Sequence, residues 1–88
     1  MFGKYYVLFT KGSCPACQRA IELLEMKELN FVYTDMEHAP QILAAMKVIS
    51  GHPTVPMIWE TNIPVSHKFI GGFDDLQEFL DGGNRVSE

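Results

Sequence analysis

Cys14 and Cys17 are the only cysteines of the 88-residue chain, set three positions apart as Cys14-Pro15-Ala16-Cys17. A disulfide stabilises chiefly by closing a long loop in the unfolded state. This pair would close a loop of four residues and staple almost nothing. The fold must therefore be held by an apolar core. A chain of this size buries roughly 60–70% of its unfolded surface, enough for one domain and too little for two. The composition allows such a core, with 47% apolar and 20% charged residues. One domain over residues 1–88 is expected.

The same spacing narrows the chemistry. A single C-x-x-C is half of a structural zinc site, which takes four protein ligands. His38, His52 and His67 stand at no metal-ligand spacing to one another or to the cysteines. No metal is expected, and redox chemistry is the leading reading of the pair. The net charge of −4 offers no electrostatic footprint for nucleic acid or an anionic membrane. The longest apolar runs, Tyr5–Phe9 and Ile42–Met46, fall far short of the about 20 residues of a membrane span. No secretory signal precedes the first strand-like run. The expectation is a cytoplasmic monomer with neither nucleic acid nor membrane as partner.

Tyr5 to Thr10 is a β-branched and aromatic run that stops at Lys11-Gly12-Ser13, which reads as a buried strand and a turn. Ser13 and Pro15 signal a helix start. Cys17, Ala20, Ile21 and Leu24 then form an apolar stripe, with Arg19, Glu22 and Glu25 off it. Glu22, Glu25 and Glu28 read as a solvated helix face. Asn30–Asp35 is a second strand. Pro40 opens a second helix with Ile42, Leu43, Met46 and Ile49 inward, stopped by Ser50-Gly51. Val55–Trp59 is a third strand, Glu60–Pro64 a turn and Val65–Ile70 a fourth strand. Asp74 or Asp75 caps a last helix, with Leu76, Phe79 and Leu80 inward. Residues 81–88 read as a polar, frayed tail. The order β-α-β-α-β-β-α is α/β, a mixed four-stranded sheet flanked by three helices. Its first two strands are joined through a helix and so run parallel.

A cysteine at a helix start meets unpaired N–H groups and the positive end of the helix dipole, both of which favour a thiolate. Such cysteines have pKa values of about 3.5 to 7.5, against about 8.5 for a free thiol. Cys14 has that place, with Lys11 just before it, whereas Cys17 lies on the core-facing stripe. Cys14 is thus the nucleophile and Cys17 the resolving thiol.

Three motifs in order, Thr10-Lys11-Gly12-Ser13-Cys14-Pro15-Ala16-Cys17, Thr54-Val55-Pro56 and Gly71-Gly72-Phe73-Asp74-Asp75-Leu76, resemble those of the glutaredoxin family. The resemblance runs from Tyr5 to about Leu80. It implies the thioredoxin fold, with Pro56 as a cis-proline beside the active cysteine. It further implies glutathione as co-substrate, bound by Lys11, Thr54, Val55, Pro56, Gly72, Phe73 and Asp74. The backbone of Val55 would pair with the cysteine of glutathione. The helix start at Phe73 and Asp74 would receive its glutamyl end, and Lys11 the other carboxylate. The chain departs from the family at Ala16, where many members carry Tyr, and at His52-Pro53, in place of a polar or basic pair.

The resemblance leaves three functions open. The first is reduction of protein disulfides and glutathione mixed disulfides at the expense of glutathione. The second is an electron donor, for example to ribonucleotide reductase, reduced by thioredoxin reductase. The third is an iron–sulfur cluster-binding module, against which Cys17 argues because members specialised for it tend to be monothiol. The first is the expected function.

Overall fold

A computed structural model describes residues 3–63 and 66–86 of the chain. Strand β1 (Gly3–Thr10) leads into helix α1 (Pro15–Met26), strand β2 (Phe31–Asp35) and helix α2 (Pro40–Ser50). Strands β3 (Met57–Ile63) and β4 (Ser66–Gly71) and helix α3 (Phe73–Val86) follow. The expected order and the mixed sheet are both present. The strands lie β2-β1-β3-β4, with β1 parallel to β2 and antiparallel to β3, and β3 antiparallel to β4.

Alternation along β1 divides the core between the two faces of the sheet. Tyr6 and Leu8 join Ala20, Leu23, Leu24, Ile58 and Leu76 in the larger cluster, between the sheet and α1 with α3. Leu8, Leu24, Ile58 and Leu76 are fully buried, each a contribution of roughly 1.5–3 kcal/mol. Phe9 packs instead against Met36, Leu43 and Met57, the smaller cluster, to which α2 contributes Leu43 and Met46.

Several boundaries differ from the sequence reading, each for a physical reason. On α2 only Leu43 is buried and Met46 half-buried, while Ile42 and Ile49 are 53% and 70% exposed. The helix meets the sheet along one narrow ridge, and its other apolar residues fall on the flanks. Glu28 is not helical: α1 stops at Met26, and Glu28 takes φ 57°, the left-handed conformation. The Glu28 and Leu29 amides donate to the Glu25 and Leu24 carbonyls, a Schellman closure with Glu in the place glycine usually fills.

Strand β3 begins at Met57 rather than Val55 and runs through Glu60, Thr61 and Asn62 to Ile63. All three read as a turn, but Glu60 and Thr61 have side-chain partners inside the fold and Asn62 keeps its place in the strand register. The buried Glu60 carboxylate accepts from the Tyr6 hydroxyl at 3.1 Å and pairs with Lys4 at 3.4 Å. The buried Thr61 hydroxyl meets His67 Nδ1 at 3.3 Å. Burial first, and the Glu60 charge and hydrogen bond second, push the Tyr6 hydroxyl up to about 12. Strand β4 begins at Ser66; Pro64 and Val65, of the expected turn and strand, lie outside the described residues. Residues 81–86, expected as tail, continue α3.

Candidate functional site

Helix α1 is capped by Cys14, not by Ser13. Cys14 has extended backbone, Pro15 opens the helix, and the Cys17 amide donates to Cys14 Sγ at 3.1 Å. The two cysteines form a disulfide with a Cα separation of 5.2 Å, inside the range a disulfide requires. Cys17 is fully buried on the core stripe, and Cys14 is half-exposed. The loop before Cys14 is tied to the β2 end, where Glu37 Oε1 accepts from the Gly12 amide at 3.0 Å.

The Val55–Pro56 peptide bond is cis. Pro56 is fully buried, and the Val55 carbonyl oxygen lies 3.9 Å from Cys14 Sγ. The backbone before Pro56 therefore stands directly beside the more exposed sulfur. On the far side of this segment the chain turns from β4 into α3 through Gly71 and Gly72. Gly71 has φ 127°, a conformation open to glycine and strained for other residues. The Gly72 amide donates to Asp75 Oδ2 at 3.0 Å. Asp75 thus caps the helix from inside its first turn, and the cap position is Gly72, not Asp74 or Asp75.

These segments enclose a groove of about 300 Å³. Its lining gathers Thr54, Val55, Pro56, Gly72, Phe73 and Asp74, six of the seven residues named as a glutathione site. Lys11 is not in the lining. Ala16, Arg19, His52 and Asp75 complete it. Arg19 went unnoticed in the sequence as a site residue. The available signal was its spacing: Ala16 and Arg19 stand at i, i+3 and share a helix face. In the sequence His52 stands out as a departure from the family and as a histidine without metal-ligand spacing. Its Nδ1 meets the Thr54 carbonyl oxygen at 2.8 Å. One wall of the groove is thus cationic, from Arg19, and another carries the carboxylates of Asp74 and Asp75 at a helix N-terminus.

A family model described as glutaredoxin matches residues 6–62. The chain belongs to the glutaredoxin family. It is 40% identical over 76 residues to glutaredoxin-1 of Gallus gallus, covering 81% of this chain and 68% of that protein. It is 36% identical over 73 residues to a hybrid peroxiredoxin of Haemophilus influenzae. That match covers 83% of this chain but spans 28% of the relative's length. The structure resembles that of a buckwheat glutaredoxin–glutathione complex, with a TM-score of 0.72 at 26% identity over 88% of this chain and 69% of that one. The architecture is the thioredoxin fold. With this membership the Cys14–Cys17 pair is a redox-active dithiol, and the chemistry is that of a thiol–disulfide oxidoreductase.

Proposed function

We propose that the chain reduces protein disulfides and glutathione mixed disulfides through the Cys14/Cys17 dithiol, with glutathione as its electron source. The observation that carries this reading is the position of Cys14 Sγ, 3.9 Å from the Val55 carbonyl at the groove gathered around Thr54-Val55-Pro56 and Gly72-Phe73-Asp74. Glutathione is an extended peptide with two carboxylates and one ammonium group. The Val55 backbone suits strand-like pairing with its central residue. The α3 start suits a carboxylate, Asp74 an ammonium, and Arg19 a second carboxylate. The buckwheat glutaredoxin–glutathione complex supports the choice of ligand.

In the forward half-reaction the Cys14 thiolate attacks one sulfur of a client disulfide. A new S–S bond forms to Cys14, and the other client sulfur leaves as a thiolate. The Cys17 amide, aimed at Cys14 Sγ, stabilises the negative charge on that atom in the free enzyme. Cys17, one turn along α1, loses its proton and attacks Cys14. It releases the second client thiolate and leaves the Cys14–Cys17 disulfide. Two molecules of glutathione restore the dithiol. The first attacks Cys14 Sγ and frees Cys17. The second attacks the glutathione sulfur of the mixed disulfide, freeing Cys14 and forming glutathione disulfide. Two electrons pass from two glutathione thiols to one client disulfide.

The test is turnover of a small glutathione mixed disulfide with one electron donor at a time. Glutathione recycled by glutathione reductase should sustain turnover. Turnover with thioredoxin reductase alone, and none with glutathione, would overturn the reading in favour of a thioredoxin-reductase-dependent donor.

A further inference from the structure

The His52 ring lies between the segment before Pro56 and the Gly72 turn. A carbonyl oxygen can only accept, so the 2.8 Å contact between His52 Nδ1 and the Thr54 oxygen places a proton on Nδ1. The His52 backbone amide donates to Ser50 Oγ at 3.0 Å, which ties the loop to the end of α2. The ring packs edge-on against Phe69 of β4, with centroids 5.7 Å apart. Its Cε1 and Nε2 atoms lie 3.5 and 3.6 Å from where a Cβ on Gly72 would stand. One side chain thus bonds to the segment before Pro56, packs on strand β4 and stands beside the Gly72 turn.

We propose that His52 is a positioning residue: through its bond to the Thr54 carbonyl it holds the Thr54–Val55 backbone in register with Cys14 and against the Gly72 turn. The inference rests on the proposed use of the groove by glutathione. The charged groups of the same groove are Arg19 on α1 and Asp74 and Asp75 on α3. A role in position is set apart from a role in charge by rescue with an uncharged donor in the same place.

The experiment compares His52→Ala, which removes the donor, with His52→Asn, whose side-chain amide nitrogen occupies the place of Nδ1. In His52→Ala the apparent KM for glutathione should rise about two- to ten-fold, the loss of one hydrogen bond, with a smaller change in kcat. His52→Asn should recover most of the loss. Equal impairment in both variants would overturn the inference. Amide hydrogen exchange at position 52, whose amide donates to Ser50 Oγ, needs no glutathione when followed in the oxidised protein and corrected for the intrinsic rate of each residue type. It should be about two- to ten-fold faster in His52→Ala and restored in His52→Asn; unchanged exchange in His52→Ala would overturn it too. If the unsubstituted protein fails to turn over glutathione while exchange follows this pattern, the choice of donor falls and the positioning role stands.

Discussion

Gly71→Ala tests whether the turn that forms one wall of the groove is built as described. A Cβ at Gly71 would overlap the Asp75 carboxylate and approach Asp75 Cγ and Cβ to 2.7 and 2.8 Å. It would also sit on a residue with φ 127°. The backbone strain costs about 1–3 kcal/mol. The overlap evicts Asp75 from its bond to the Gly72 amide, and loss of such a cap costs about 0.5–2 kcal/mol. The single substitution should therefore destabilise by about 1.5–5 kcal/mol. Asp75→Ala alone should cost the cap, about 0.5–2 kcal/mol.

The double variant carries the sharper expectation. Gly71→Ala has already forfeited the cap, so removing Asp75 as well should add almost nothing. The two substitutions should fall short of additivity by roughly the cost of Asp75→Ala, about 0.5–2 kcal/mol. Denaturant unfolding of the four proteins, all with the disulfide intact, measures this coupling, provided that the slope m is unchanged across the set. Additivity to within about 0.5 kcal/mol would refute the reasoning, because it would mean that Gly71 and Asp75 do not share one space.

Cys17→Ser should retain activity on glutathione mixed disulfides, which needs only the Cys14 thiolate, and lose activity on protein disulfides, which needs a resolving thiol; parallel assays on the two substrates check this. Tyr6 concerns stability instead. An unfolded tyrosine titrates near 10 and Tyr6 in the fold at about 12. Between those values the unfolded chain gives up its proton first, so stability is full below about pH 10 and falls as the pH rises through about 12. Tyr6→Phe should abolish that slope. It should also cost about 1–3 kcal/mol at neutral pH, because buried Glu60 loses its hydroxyl donor. Unfolding curves across the alkaline range of both proteins check it.

What was legible in the sequence was what local geometry dictates. The apolar stripe on α1 has the period of a helix, so Cys17, Ala20 and Leu24 were read as core from spacing alone, and they are buried. The reach of β3 was hidden because Glu60, Thr61 and Asn62 have the composition of a turn. Glu60 is satisfied by Tyr6, 54 positions earlier, and no local pattern carries that information. The end of α1 was hidden because Glu28 occupies a left-handed position without the glycine that would announce it.

The groove divides along the same line. Val55, Pro56 and Gly72 act through backbone and Cys14 through a sulfur placed at a helix cap, and such local features leave a mark in residue type. Arg19 and His52 act across elements, as side chains brought to the groove by the packing of α1, the segment before β3 and the α3 start. Their residue types are compatible with any solvated surface. A positively charged residue one turn after Ala16 acquires meaning only when α3 is seen to place two carboxylates on another wall of the same groove. The dithiol chemistry can thus be read from a few positions. Recognition of the proposed peptide donor rests on contacts that exist only once the fold has assembled.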